Sequence, residues 1–322
     1  MRYFERRCIQ TIITLFIVIT INFFLFRVIP GDPVLLLIND PRVSKATMQH
    51  YRTLLGLDLP KHEQYLVYLS NLLHGELGYS FAYGRPVSAI LGEALWNTAV
   101  LVIAGTALAI VLGLMLGLIA GWKRGTKTDI SIIGTQLLMY SMPSFWLSML
   151  MILVFAVNLG LFPTSGVRTY GLHYSNWVEE VVDIAHHAAL PMAALSIQLV
   201  GEYALLMRAS VLDVFTQQYI VTAKAKGLST RSIVFHHALK NASLPMITVV
   251  AINLGYSIGG AIQTETVFAW PGIGRLMYDS VSQLDYPILQ GCFLVLAVVV
   301  ILANLCADLM YGYLDPRVRA AG

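Results

Sequence analysis

The chain has 322 residues and a net charge of +3; 57% of its residues are hydrophobic, 12% are charged, and its mean hydropathy is +0.69. Soluble globular chains are about 45–50% apolar and about 25% charged, so this composition excludes a water-soluble globular protein, whose surface needs more polar groups. Three isolated cysteines also exclude a disulfide framework and a paired-cysteine metal site. Lipid is therefore expected to be the solvent for much of the chain.

Six apolar segments are long enough to cross a membrane, which takes about 20 residues in a helix. We therefore expect an all-α membrane protein with six transmembrane helices. The predicted spans are Ile9–Phe26, Ala99–Ala120, Ile130–Val157, Leu190–Met207, Ile247–Thr264 and Ile288–Tyr311. The first span follows three arginines, as the apolar core of a signal peptide does. It is longer than such a core and no small-residue cleavage site follows it, so we interpret it as a retained span.

The distribution of basic residues predicts the orientation, because Lys and Arg concentrate in cytoplasmic loops. With the N-terminus inside, the inner segments carry most of the 21 basic residues, and the two shorter outer loops carry only Arg168 and Arg275. The inner set is Arg2, Arg6, Arg7, Lys123, Arg124, Lys127, Arg208, Lys224, Lys226, Arg231, Lys240, Arg317 and Arg319. Both termini are therefore expected to be cytoplasmic.

The long segment between the first two spans is expected to form a small helical subdomain on the outer face. Ser44–Leu55 has apolar residues at helical spacing and ends before Gly56. Pro60–Leu73 opens with proline, repeats leucine at helical spacing and ends before Gly75.

The second span has a small residue at every fourth position, which makes one smooth ridge where another backbone can approach closely. The ridge is Gly105, Ala109, Gly113, Gly117 and Gly121, and the fifth span has a shorter one at Gly255 and Gly259. Packing within the bundle is one interpretation. A pore-lining role or a contact with another subunit is the other.

The inner segment between the fourth and fifth spans, residues 213–243, is predicted to contain two short helices joined at Gly227. Glycine is suited to the left-handed end of the first helix, and Ser229 is a good N-cap for the second. A basic, amphipathic segment of this kind could lie on anionic lipid or dock in a groove of a soluble partner. The residues alone leave both open.

A set of motifs in fixed order carries a resemblance to a known family. Tyr219-Ile-Val-Thr-Ala-Lys-Ala-Lys-Gly227 is similar to the coupling loop, or EAA loop, of ABC importer permeases in its peptide and nickel version, with Val221 in place of the usual Glu. The other matching motifs are Pro30-Gly31-Asp32-Pro33, Leu55-Gly56-Leu57-Asp58-x-Pro60, Gly75-Glu76-Leu77-Gly78-Tyr79-Ser80, Arg85-Pro86-Val87, Ser141-Met142-Pro143, Leu244-Pro245, Glu265-x-Val267-Phe268-x-Trp270-Pro271-Gly272-Ile273-Gly274-Arg275, Asp285-Tyr286-Pro287 and Asp315-Pro316-Arg317. Over nearly its whole length the chain resembles a dipeptide/oligopeptide/nickel-type ABC permease.

This resemblance implies a type I ABC importer permease in the cytoplasmic (inner) membrane. It implies a cytoplasmic N-terminus and first span in residues 1–29, an extracytoplasmic helical subdomain in 30–94, a five-helix core in 95–312 and a cytoplasmic tail in 313–322. The implied function is not enzymatic: the subunit moves di- or oligopeptides and couples ATP hydrolysis in a partner to alternating access. Nickel or a metal complex is the alternative substrate.

The resemblance also implies the partners, which are a second homologous permease, two ATP-binding subunits, an extracytoplasmic substrate-binding protein and membrane lipid, with no nucleic acid. The sequence contains no G-x-x-x-x-G-K-[ST] phosphate loop. We therefore expect no cofactor in this chain, with ATP and Mg²⁺ bound by the partner subunits. The residues implied to dock the ATPase are Tyr219, Thr222, Ala223, Lys224, Ala225, Lys226, Gly227 and Leu228.

Two further groups of residues are candidates for function. Gln198 and Glu202 lie one turn apart on the same face of the fourth span, and an intramembrane carboxylate is expected to face the bundle interior or a substrate. The other group follows the fifth span and is interpreted as a structural turn or as a gate that contacts the delivering protein, with its aromatic residues in an interfacial belt. Its residues are Phe268, Trp270, Pro271, Gly272, Gly274 and Arg275.

The histidines do not predict a metal site. His186 and His187 are adjacent, as are His236 and His237, and adjacent side chains on a helix point about 100° apart. A self-sufficient secondary transporter is a further alternative, although it would normally have more spans and internal repeats. A membrane enzyme is disfavoured because the spans contain no nucleophile–base pair.

Overall fold

The computed structural model describes residues 2–28, 59–80, 82–247, 249–250, 253 and 261–314. In these ranges the helices include α1 (Arg2–Val28), α2 (Lys61–Leu73), α3 (Val87–Trp122), α4 (Lys127–Ser141), α5 (Ser144–Met151), α6 (Trp177–Phe215), α7 (Gln218–Ala225), α8 (Thr230–Ser232), α9 (Leu239–Ala242), α10 (Ile262–Val267), α11 (Ile273–Ser282) and α12 (Tyr286–Leu314). The π-helical segments Ile152–Asn158 and Ile233–Ala238 continue α5 and α8. Strands β1 (Tyr79–Ser80) and β2 (Arg85–Pro86) form an antiparallel ribbon.

Helices α1, α3, α6 and α12 are each long and apolar enough to cross a membrane, and a bent pair makes a fifth crossing if it is taken as one span. The four helices coincide with the first, second, fourth and sixth predicted spans. Most of the predicted fifth span, Ile247–Thr264, lies outside the described residues. The six-helix count therefore stays a prediction.

The predicted third span, Ile130–Val157, contains a sharp break, and its count as a single span stays a prediction. Helix α4 and the helix formed by α5 with its π-helical continuation meet at an angle of 104°. The break is at Met142, which is extended (φ −78°, ψ 135°), as expected for the residue that precedes a proline. Pro143 then starts the second half and has no N–H to continue the first.

Helices α3 and α6 are longer than the spans predicted within them, beginning at Val87 and Trp177 rather than at Ala99 and Leu190. At a rise of 1.5 Å per residue they are about 54 and 58 Å long, against a hydrocarbon core of about 30 Å. Both helices therefore project well beyond the apolar layer.

The glycine ridge of α3 packs directly against α6, which settles its role in favour of packing within the bundle. A Cβ added to Gly113 would lie 2.5 Å from the Cβ of Tyr203, and one added to Gly117 would lie 2.5 Å from the carbonyl oxygen of Ala204. Ser196 of α6 donates to the carbonyl oxygen of Gly105 at 2.8 Å. At Gly113, Gly117 and Gly121 the two helices approach too closely for a larger residue. Gly255 and Gly259 lie outside the described residues.

Part of the predicted outer subdomain is described. Helix α2 has the predicted position and contacts α1 through rings of Tyr65, Phe23 and Phe24. The ribbon is fixed to the start of α12, because Ser80 donates to Asp285 at 2.6 Å. The predicted helix at Ser44–Leu55 lies outside the described residues, so the subdomain as a whole stays a prediction.

Candidate docking loop and carboxylate-capped turn

The turn at Gly227 has the predicted geometry. Gly227 has a φ of +75°, and its N–H donates to the carbonyl oxygen of Lys224 at 2.9 Å, which ends α7. The side chain of Ser229 then accepts from the N–H of Ser232 and caps α8. Local chemistry therefore sets both boundaries, as the sequence indicated.

One face of the 213–243 loop is buried against the ends of α3 and α6. Ile220 and Ala223 of α7 share a core with Val234, with Val211 of α6 and with Leu118 of α3. Ala223 is only 5% exposed. Ala223 therefore lies on the face that packs the loop against the bundle, and its place in the docking loop stays a prediction.

The other face of the loop is exposed and combines apolar with basic side chains. Its exposed apolar members are Tyr219, Val221, Leu228 and Phe235, and the exposed Leu244 follows the loop directly. Its exposed basic members are Lys224, Lys226, Arg231 and Lys240. The amide of Asn241 donates to the hydroxyl of Tyr219 at 2.9 Å, so this ring is held in place at the surface. The predicted residues Thr222, Ala225 and Gly227 are exposed on the same side of the loop.

The 265–275 turn is packed inside the protein. Phe268 and Trp270 are 2% and 1% exposed, so the expectation that they lie in an interfacial aromatic belt is wrong. The indole of Trp270 donates to the carbonyl oxygen of Asn97, and the Asn97 amide donates to the carbonyl oxygen of Pro271, each at 3.0 Å. Asn97 of α3 thus holds two adjacent residues of the turn.

The buried carboxylate of Glu265, for which no role was predicted from the sequence, organises this turn. Glu265 of α10 is 0% exposed and accepts from the hydroxyl of Thr98 at 2.6 Å and from the N–H groups of Gly274 and Arg275 at 2.7 and 3.2 Å. The Thr98 hydroxyl oxygen also accepts from the N–H of Ile273 at 2.8 Å. The first three N–H groups of α11 are therefore satisfied by side chains from two other helices. A negative charge at a helix N-terminus is also favourable.

The two glycines of the turn make room for this carboxylate. A Cβ on Gly272 would collide with the Glu265 carboxylate, and one on Gly274 would collide with the backbone of Ile262. Arg275 faces outward and pairs with Asp279 of α11 at 3.4 Å. These contacts support the interpretation of the predicted group as a structural turn, and its role as a gate stays a prediction.

Gln198 and Glu202 reach different neighbours. The Gln198 amide donates to the carbonyl oxygen of Met142, at the break in the third span, at 3.3 Å. The Glu202 carboxylate accepts from the amide of Asn253 at 3.0 Å. Gln198 therefore contacts the break between α4 and α5, and Glu202 contacts the segment that follows the 213–243 loop. The two residues of α6 thus lie where these three parts of the chain meet.

An ion pair between α6 and α4 was not predicted from the sequence. Arg208 of α6 donates through Nε and Nη2 to the two oxygens of Asp129, at 2.7 and 2.8 Å. Asp129 is buried and also accepts from the N–H of Gly125, while Thr126 caps α4. A Thr followed three residues later by an acid is a local capping signal, but nothing local indicates its partner 79 residues away.

His186 and His187 each contact a backbone carbonyl group. His186 lies 2.8 Å from the carbonyl oxygen of Leu161, and His187 lies 2.9 Å from that of Asp183. Asp183 also accepts from the hydroxyl of Tyr174 at 2.7 Å, and this hydrogen bond raises the pKa of the Tyr174 phenol. Among the described residues no group of three or more His, Cys, Asp or Glu side chains is arranged to hold a metal ion.

Comparisons with known proteins give a consistent result over the whole length. Residues 113–320 match the family described as binding-protein-dependent transport system inner membrane component, and residues 1–102 match the N-terminal family of such membrane components. The chain is 35% identical over 318 residues to the oligopeptide transport system permease protein AppB of Bacillus subtilis (strain 168), covering 98% of this chain and 99% of that one.

Two further similarities point the same way. The dipeptide transport system permease protein DppB of Escherichia coli (strain K12) is 36% identical over 337 residues, covering 99% of both chains. Among solved structures, an inward-facing form of the MetNI methionine ABC transporter matches with a TM-score of 0.54 at 18% identity, over 70% of this chain and 96% of that one. At this identity, the structural match shows a shared helical fold.

Proposed function

Because this chain belongs to the family of inner membrane components of binding-protein-dependent transport systems, we propose that it is the permease subunit of an ATP-driven importer of di- and oligopeptides. The observation that carries this proposal is similarity over nearly the full chain to permeases named for oligopeptide and dipeptide transport. These names favour peptides over the nickel alternative. Family membership also disfavours a self-sufficient secondary transporter.

In this proposal two separate ATP-binding subunits bind ATP and Mg²⁺, and one of them docks on the exposed face of this chain's 213–243 loop. Tyr219, Val221 and Leu228 supply apolar contact there, and the lysines supply charge. The buried face of the loop shares a core with α3 and α6. A movement of the docked ATPase is therefore transmitted through the loop to these two helices. Docking on a protein is favoured over docking on lipid by the chain's membership of a transport-system family.

We also propose the remaining architecture: six spans, an outer subdomain in residues 30–94, a type-1 core in 95–312, and both termini in the cytoplasm. A second, homologous permease completes the pathway, and an extracytoplasmic binding protein delivers the substrate. The exposed apolar side chains of α1, such as Ile12 and Phe16, are suited to lipid or to that second subunit.

Cysteine labelling tests the orientation. After Cys8, Cys292 and Cys306 are replaced, Tyr170→Cys should react with a membrane-impermeant maleimide in intact cells, because Tyr170 is fully exposed in a loop predicted to be outside. Thr128→Cys, exposed at the start of α4, should react only after permeabilisation. The reverse pattern would overturn the proposed orientation.

Reconstituted uptake tests the function. The chain, purified with its second permease and ATPase subunits, is placed in vesicles with the binding protein outside and ATP inside. We expect uptake of labelled alanyl-alanine that stops when the ATPase is omitted. Uptake of nickel without uptake of the dipeptide, or uptake driven by an ion gradient without ATP, would contradict the proposal.

A further inference from the structure

Glu202 is a carboxylate inside α6, a helix that is long and apolar enough to cross the membrane. It lies in α6, thirteen residues before the helix ends at Phe215. It is only partly buried. A charge in this location is costly unless it is compensated, and such residues usually mark a pathway. A compensating group is therefore expected close by.

The described residues do not supply a cation for it. The one polar contact recorded for the Glu202 carboxylate in the described part of the chain is the neutral amide of Asn253, at 3.0 Å. Arg208, the basic residue nearest to it along α6, is held by both oxygens of Asp129. Within the described parts of the bundle, the Glu202 carboxylate can therefore still accept a hydrogen bond from a positively charged group.

The surroundings of Glu202 are polar and lie beside a break in a span. Gln198, one turn away, contacts the carbonyl oxygen of Met142 where α4 ends. On the other side of the break, Ser144 donates to the side chain of Gln263. Discontinuous helices near the midplane are where transporters place polar groups that meet their substrate. This region thus offers neutral hydrogen-bonding groups and one negative charge.

From this placement we propose that Glu202 binds the cationic amino group of a peptide during its passage through the membrane. The inference rests on the proposed peptide-import function and names a residue for one step of it. Every free peptide carries an α-ammonium group regardless of its side chains, so one carboxylate at this point suits substrates of varied sequence. A charge-assisted hydrogen bond to Glu202 replaces part of the hydration that the ammonium group loses.

The test compares Glu202→Gln with the wild type in the reconstituted importer at saturating binding protein. The glutamine side chain can still accept a hydrogen bond from the Asn253 amide. The contact between the two residues is therefore preserved while the negative charge is lost. We expect maximal uptake of alanyl-alanine at pH 7 to fall about tenfold, as for the loss of one hydrogen bond to a charged group. Glu202→Asp, which keeps the charge, should recover most of the loss. Thermal stability in detergent should not change.

The pH profile separates binding of the ammonium group from a structural role. An α-amino group has a pKa of about 7.7–8.0, so the ratio of wild-type to Glu202→Gln uptake should decline towards one by pH 9. The binding protein is common to both samples, so its own pH dependence cancels in this ratio. Neither Gln198 nor Asn253 titrates in this range.

Glu180→Gln is the matched control, because it removes a carboxylate from the same helix that is already paired with Arg168, and its uptake should equal that of the wild type. A Glu202→Gln variant within twofold of the wild type at pH 7, or a ratio constant between pH 7 and 9, would overturn the inference while leaving the importer intact. Absence of ATP-dependent dipeptide uptake by the wild type would instead overturn the proposed function, and the inference with it.

Discussion

Replacing Gly227 with valine is expected to abolish ATP-driven uptake while the chain still folds and inserts. Gly227 has a φ of +75°, and a Cβ added to it would meet no atom within 4 Å. The penalty is therefore one of backbone conformation, about 1–2 kcal/mol for a non-glycine residue in the left-handed region. The turn between α7 and α8 would relax to a new conformation. The exposed face of the loop would then no longer match its ATPase partner.

The measurements are co-purification of the ATPase with the permease, and dipeptide uptake per ATP hydrolysed. Gly171→Val is a matched control, because Gly171 has a φ of +77° and equally open surroundings, in a loop predicted to lie on the opposite side. It should retain uptake. Lys224→Glu with Lys226→Glu should give a milder defect that depends on salt, since exposed charges are screened. Full uptake by Gly227→Val would contradict the assignment of this loop to docking.

Replacing Glu265 with alanine is expected to cause the largest loss of stability among single substitutions in the 265–275 turn. The change leaves the Thr98 hydroxyl and the N–H groups of Gly274 and Arg275 without their acceptor in a buried site. Each unsatisfied buried group costs about 1–3 kcal/mol. The N-terminus of α11 should detach from α3, and thermal unfolding of the purified protein in detergent should occur at a clearly lower temperature.

Two further variants serve as comparisons for the stability of Glu265→Ala. Glu265→Gln keeps one carbonyl oxygen as an acceptor and should be intermediate. Glu93→Ala removes an exposed carboxylate of α3 that pairs with Arg85 at the surface, and it should change stability little, since exposed ion pairs contribute little. Equal stability of Glu265→Ala and Glu93→Ala would show that the buried cap does not hold the turn.

Features set by local chemistry could be predicted from the sequence. The left-handed turn at Gly227, the cap at Ser229 and the small-residue face of α3 each depend on residues close together in the chain. The break at Met142 is also a local feature, because Pro143 follows it and the residue before a proline is biased towards an extended conformation. The length of the apolar run predicts a crossing there but carries no information about a bend within it.

The remaining features depend on which distant elements meet. Trp270 was expected at the membrane interface, and it is buried; in a membrane protein, hydrophobicity cannot distinguish contact with lipid from contact with protein, because lipid tails are as apolar as leucine. Glu265 and Thr98 are 167 residues apart, and Asp129 and Arg208 are 79 apart. No local pattern indicates such partners, although an acid in an apolar context signals that one is needed.

The close fit of α3 against α6 has a mechanical consequence. Side chains that interdigitate with a glycine ridge cannot slide past it without collision, so the two helices should tilt together as a stiff lever. One end of this lever shares a core with the 213–243 loop, and Asn97 near the other end holds Trp270. Helix α3 is about 54 Å long. If the two helices tilt together by about 5° about one end, the other end of α3 moves by about 5 Å.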